Sequence, residues 1–239
     1  MNELRVVGAA NIVTVCYLCN VAGGEELRCE CACLGTGNGY VHYLCLKASA
    51  TAANASWVEG DGIDSFISPW KVCGLCHNNY GSRFAMTMAV HFVRSVQENF
   101  RPVTDNWKQI ESKYYMMSVQ LSLQHRMSDW QKDNVIKNAD LIMCLIRHEG
   151  GPRLTLTSRR WKSIVSNCFQ ARGVIMLMCG GPESVNNALH EFSMQCSMAA
   201  SNNDQTGVMR AHRLIEYLED DFHEGDDLED YAFQLTLVD

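Results

Sequence analysis

The sequence predicts a small metal-stabilised domain followed by an all-α array of helical hairpins. Three observations carry that prediction. Cysteines crowd the first third of the chain, composition changes near Tyr80-Gly81, and apolar residues after that point recur at helical spacing.

The chain has 239 residues, enough for one ordinary domain or a small domain beside a larger one. Hydrophobic residues make up 47% and charged residues 20%, a globular balance that can bury a core. The net charge of -7 argues against non-specific nucleic-acid binding, which needs clustered Lys and Arg to neutralise phosphates. The start, MNELRVVGAANIVTVCYLC, reads as no secretory signal, and no apolar run approaches the roughly 18 to 20 residues of a membrane span. A soluble, intracellular protein is expected, cytoplasmic or nuclear.

Eight of the twelve cysteines lie between Cys16 and Cys76. In a reducing compartment such clustering reads as metal ligation rather than as a disulfide framework. Cys144, Cys168, Cys179 and Cys196 are scattered singly among apolar residues, and fit ordinary buried thiols.

Residues 12–81 are rich in Cys and Gly and show no long helical period; Ala48 to Gly62 reads as a short helix and a loop. Residues 82–220 carry six helical patterns. Phe84, Met88, Phe92 and Val96 mark the first, and Trp107, Ile110, Tyr114, Met117 and Leu121 the second. Val135, Ala139, Ile142 and Ile146 mark the third. Ile164, Cys168, Ala171, Ile175 and Met178 mark the fourth, expected to start after a Thr157 or Ser158 cap. Gly180-Gly181-Pro182 stops it, with Glu183 in the first turn of the next helix. Val185, Ala188, Phe192 and Cys196 mark the fifth, and Val208, Ala211, Ile215 and Leu218 the sixth.

Such helices joined by short loops suggest stacked antiparallel pairs, as in tetratricopeptide-like arrays. Ala188 with Phe192, and Trp161 with Ile164, fit pieces of that repeat, but its period of about 34 residues is absent. Residues 221–239 begin in an acidic run and read as a solvated tail.

The ligand pattern is Cys16-x2-Cys19, Cys31-x-Cys33, His42-x2-Cys45 and Cys73-x2-Cys76. Each pair can form a tight knuckle aimed at one metal. Eight ligands are what two closed tetrahedral zinc sites require. Sites filled by protein leave no position for a substrate water, so the metals are expected to be structural and no catalytic residue is assigned. A segment with so few large apolar residues needs them, since its core alone cannot offset the chain entropy. Cys29 offers a second choice of register, Cys29-x-Cys31. Cys31 and Cys33 are preferred because a Gly-rich turn then leads to Tyr40-Val41-His42.

The segment Cys31-Ala32-Cys33-Leu34-Gly35 through Val41-His42 to Cys45-Leu46 resembles the central signature of RING-CH domains. With Cys16, Cys19, Cys73 and Cys76 it matches that family's ligand order over roughly residues 14–81. Trp70, Tyr80-Gly81 and the helix that follows resemble the soluble RING-CH proteins that continue into helical repeats. The competing module is the PHD finger, a histone-tail reader. Its gap between third and fourth ligands is wider, and its gap to the histidine shorter, than the one and eight residues found here.

The resemblance implies a small α+β RING-type fold with interleaved sites. Cys16, Cys19, His42 and Cys45 would hold one zinc, and Cys31, Cys33, Cys73 and Cys76 the other. It implies a ubiquitin ligase that forms no covalent intermediate and holds a ubiquitin-charged conjugating enzyme (E2) in a reactive arrangement. Leu18, Trp70 and Leu75 map to the E2 contacts, and the helical region would recruit a protein substrate. Two departures, Gly74 where many active members have Pro and His77 where many have Arg or Lys nearby, motivate the alternative of a zinc-scaffolded adaptor.

Overall fold

The structure is a computed structural model that describes residues 14–22, 27–28, 31, 33, 40–58, 61–100, 106–123, 127–148, 158–181 and 183–221. Among these residues the chain is mostly helical. A short antiparallel ladder, β1 (Leu27–Arg28) and β2 (Val41–His42), precedes eight α-helices. They are α1 (Tyr43–Ala55), α2 (Ile63–Lys71), α3 (Ser82–Asn99), α4 (Asn106–Leu121), α5 (Asp129–His148), α6 (Ser158–Cys179), α7 (Ser184–Ser201) and α8 (Gln205–Glu216). A π-helical turn, Tyr217–Asp221, extends α8. No helix of the described residues is long and apolar enough to cross a membrane. The chain divides into two compact units, Met1–Met88 and Ala89–Asp239, the division falling within α3.

The first unit has more helix than its composition suggested. The helix expected after Ala48 begins five residues earlier, at Tyr43, directly out of β2. The second helix, α2, escaped the sequence reading because it is nine residues long and holds Pro69. Proline removes one backbone donor, yet Phe66, Ile67 and Trp70 share one face of α2 and are all buried. Against α2 packs α1, which buries Leu46, Ala50 and Asn54. With its amide turned to satisfy both neighbours, Asn54 donates to the Phe66 carbonyl and accepts from the Trp70 indole N–H, each at 2.9 Å. Trp57 stacks edge-on against Phe66, and its indole donates to the Gly62 carbonyl and to Ser65 Oγ. Gly62 takes φ +79° at the start of α2, a conformation that residues with a Cβ rarely adopt. Phe84 adds an aromatic contact to both Tyr43 and Tyr80.

In the second unit the helical periods carry through to packing. Ile110, Met117, Val135, Ala139, Ile142, Ile164, Cys168, Ala171, Ile175, Ala188, Phe192 and Leu218 all enter one buried apolar cluster. From α4 to α8 each helix packs on the next one in the chain, with α4 also reaching α6. This nearest-neighbour order suits an array of hairpins. Helices α6 and α7 pack tightly at Gly173, where an added Cβ would sit 2.5 Å from the Phe192 ring. The stop before α7 holds: Gly180 and Gly181 both have positive φ. Glu183 stands just ahead of α7, at its N-cap position. At α8, Asp204 caps the helix by accepting from the Gly207 N–H at 3.0 Å.

Polar ties cross the helices. Glu111, fully buried on α4, receives Arg160 from α6 through two parallel bonds of 3.0 and 2.8 Å. Arg172 on α6 joins Asp140 on α5 and Glu191 on α7. Burial pushes the Glu191 carboxyl up, and the Arg172 guanidinium opposes that. Lys132 donates to the Met178 carbonyl at 2.9 Å, placing a cation at the C-terminal end of α6 where the helix dipole favours it.

The single cysteines depart from expectation. Only Cys168 is buried. Cys144 and Cys179 are exposed and Cys196 is intermediate. Apolar neighbours in sequence did not put them in the core, because helical geometry sends adjacent residues to different faces. Cys29, Thr157, the turn Gly35 to Gly39 and residues 222–239 lie outside the described residues.

Candidate metal centre

Two knuckles of the same design open the site. In the first, Asn20 N–H donates to the Cys16 carbonyl at 2.8 Å and Cys16 N–H to the Val21 carbonyl at 3.0 Å. In the second, His77 N–H donates to the Cys73 carbonyl and Cys73 N–H to the Asn78 carbonyl, both at 2.9 Å. The residue following each C-x2-C is left-handed, Asn20 at φ 59° and His77 at φ 57°. Asn and His enter that region more readily than most residues, so the two positions after the knuckles were a signal that sequence reasoning missed. His77 is therefore part of the knuckle's turn, with its side chain exposed.

The third pair is built differently. His42 ends β2 and occupies the N-cap position of α1, while Cys45 lies in the first turn of that helix. Helical spacing of three residues turns both side chains to one side. Strand β2 is placed against the first knuckle by Tyr17 N–H donating to the Tyr40 carbonyl, and by His42 N–H donating to Cys16 Sγ at 3.4 Å.

These elements bring the eight residues into two groups. Cys16, Cys19, His42 and Cys45 form one, and Cys31, Cys33, Cys73 and Cys76 the other; within each, all ligand atoms lie within 4.8 Å of one another. Cys19 Sγ stands 3.3 Å from His42 Nδ1, Cys45 Sγ 3.8 Å from the same nitrogen, and Cys33 Sγ 4.0 Å from Cys73 Sγ. A tetrahedral ion with metal–sulfur bonds of about 2.3 Å has ligand–ligand edges of about 3.8 Å, so each group has the dimensions to hold a metal ion. The order is interleaved, first pair with third and second pair with fourth.

The electrostatics of the sulfurs suit a cation. Burial raises the Cys16 thiol, but hydrogen bonds from the backbone of His42, Cys19 and Leu18 outweigh it and hold the group down at about 6. A backbone hydrogen bond at Asn78 outweighs burial at Cys76 and also brings it to about 6. The partners move the other way. Cys45 is pushed up to about 11 by burial and by sharing protons with Cys19 and Cys16. Cys33 is pushed up to about 11 by its hydrogen bond with Cys76 and by burial, and burial raises Cys31 further. Cys16 and Cys76 are thus held low by backbone hydrogen bonds, while burial and hydrogen bonds with neighbouring sulfurs raise Cys31, Cys33 and Cys45. A divalent cation among such sulfurs would favour their ionised forms. Tyr17 shows how near the second group lies. Its phenol is pushed up to about 12 by burial, with Cys73, Cys31, Cys16 and Cys33 adding to the effect.

The three residues mapped to a partner surface separate. Leu18 and Leu75, each inside a knuckle, are 39% and 46% exposed. Trp70 is 0% exposed and belongs to the interior between α1 and α2, where its N–H is satisfied by Asn54. A domain this poor in large side chains spends its indole on the core. Val15 and Val21, on either side of the first knuckle, are exposed as well.

No family model, no curated protein and no solved structure matches the chain.

Proposed function

We propose that the first unit is a RING-type α+β zinc module and that the protein is a ubiquitin ligase. In this reading two structural zinc ions are held by Cys16, Cys19, His42 and Cys45, and by Cys31, Cys33, Cys73 and Cys76. The observation that carries it is the interleaved grouping of the ligand atoms, joined to a Leu exposed on each knuckle. When bound, the ions supply folding energy and leave the chemistry to the partners. Leu18 and Leu75 are the anchors for a ubiquitin-charged E2, since small exposed apolar groups on a rigid turn suit a compact docking face. The module acts by holding the E2 thioester in a reactive arrangement, and the helical array, related in plan to tetratricopeptide-like repeats, recruits the substrate.

The test uses the full chain. Native mass spectrometry is expected to count two zinc ions. With purified E1 and a panel of E2 enzymes, ubiquitin chains are expected on the protein itself, and Leu18→Ala is expected to abolish them with the zinc content unchanged. A folded, metal-free protein, or ubiquitin chains made equally well by Leu18→Ala, removes the proposal.

A second reading, a zinc-scaffolded adaptor without ligase activity, is favoured by His77. The knuckle uses this residue for its left-handed turn, where members of the family carry a basic side chain close by. Gly74, where many carry Pro, has open space around it. Zinc binding with no ubiquitin transfer by any E2 supports the adaptor. Activity gained by Gly74→Pro with His77→Arg supports a weakened ligase instead.

A further inference from the structure

Among the described residues, four cysteines lie outside the two ligand groups: Cys144, Cys168, Cys179 and Cys196. They share one chain and differ in surroundings. Cys168 is enclosed, and burial pushes its thiol up to about 12, which makes it inert. Cys144 and Cys179 are exposed. Cys196 has an imidazole against it, with its Sγ 3.6 Å from His212 Nε2.

That pair is held by helices rather than by loops. Cys196 stands on α7 and His212 on α8, helices that pack together, with Ala199 on α7 next to Gly207 on α8. The turn between them is fixed by the Asp204 cap on Gly207 and by Asp204 N–H donating to the Ala199 carbonyl at 3.0 Å. His212 faces solvent and Cys196 is half-buried, so the pair lies at the surface. A thiol becomes a nucleophile only as its proton leaves, and a hydrogen-bonded imidazole gives that proton a place to go.

We propose that Cys196 is a site of reversible thiol modification by low-molecular-weight disulfides, with His212 as the proton acceptor. The Cys196 sulfur attacks one sulfur of the disulfide, forming a new S–S bond as the old one breaks. The Cys196 proton passes to His212 Nε2 and then to the departing sulfur, which leaves as a free thiol. One disulfide is consumed and one formed, so the incoming disulfide is the oxidant, and excess thiol reverses the step. The site is independent of the zinc module and of its proposed activity.

The test treats the full-length zinc-loaded protein with glutathione disulfide, quenches by alkylation and follows each cysteine by peptide mass. Cys196 is expected to be modified faster than Cys144 and Cys179, with Cys168 last. His212→Ala and His212→Gln are each expected to slow Cys196 by about tenfold or more, leaving Cys144 and Cys179 at their original rates and Cys168 protected. Glutamine keeps a hydrogen-bonding side chain but cannot take up the proton. Cys196 trailing the two exposed cysteines, or reacting at the wild-type rate in the His212→Gln protein, overturns the proposal. A His212→Ala protein in which Cys168 becomes reactive has loosened its fold, and the glutamine variant then decides.

Discussion

The two units reach stability by opposite routes. The second buries a continuous apolar cluster drawn from five helices, and its charged residues serve as ties between helices. In the first, the core is Phe66, Ile67, Trp70, Leu46 and a few neighbours, beside eight sulfur and nitrogen donors in two groups. Where apolar area is scarce, metal–ligand bonds can take the place of hydrophobic burial, and both donor groups have the dimensions to hold an ion.

On the proposed zinc-binding reading, removing the metal should separate the two units most sharply. Zinc contributes on the order of 10 kcal/mol per site to a fold of this kind. A strong chelator is therefore expected to unfold the first unit while most of the helical circular-dichroism signal, which comes from α4 to α8, persists. Acidification acts in the same direction, since protons compete with the ion for the thiolates. A single cooperative loss of all helix on chelation would show that the units are not separately stable.

The converse change strikes the second unit. Phe192 fills the space against Gly173, and Phe192→Ala should destabilise it by about 3 to 4 kcal/mol, with zinc content unaltered. Thermal or urea unfolding followed alongside metal release measures both. A smaller effect is expected from Arg160→Ala, which strands the enclosed Glu111 carboxylate. Breaking a buried pair costs several kcal/mol, but Arg160 is itself part exposed, so about 2 kcal/mol is the expected loss. Arg160→Ala together with Glu111→Gln should recover part of it. An additive double variant would mean that the two side chains do not interact.

The helical array was the more legible region. Phe84, Met88, Phe92 and Val96 on α3, or Ile164, Cys168, Ala171 and Ile175 on α6, are buried where their spacing put them. Period is a local property, and each long helix repeats it several times. Helix α2 was not legible, because nine residues hold barely two periods and Pro69 interrupts them. The burial of Trp70 was not legible either. An indole near a zinc loop suits a partner surface as well as a core, and only the placement of Asn54 and Phe66 decides.

Residue type and spacing alone narrowed the candidate ligands to four short pairs, with Cys29 as a second choice of register in one of them, and marked the change from a cysteine-rich segment to helices, because both are written in short intervals along the chain. The tertiary structure decided which pairs meet, since interleaving joins residues 23 to 45 positions apart through a strand, a helix start and two knuckles. It also decided which cysteines face solvent and that Cys196, outside the two ligand groups, meets His212. Those outcomes depend on how helix faces rotate against their neighbours, and no interval in the sequence records that rotation.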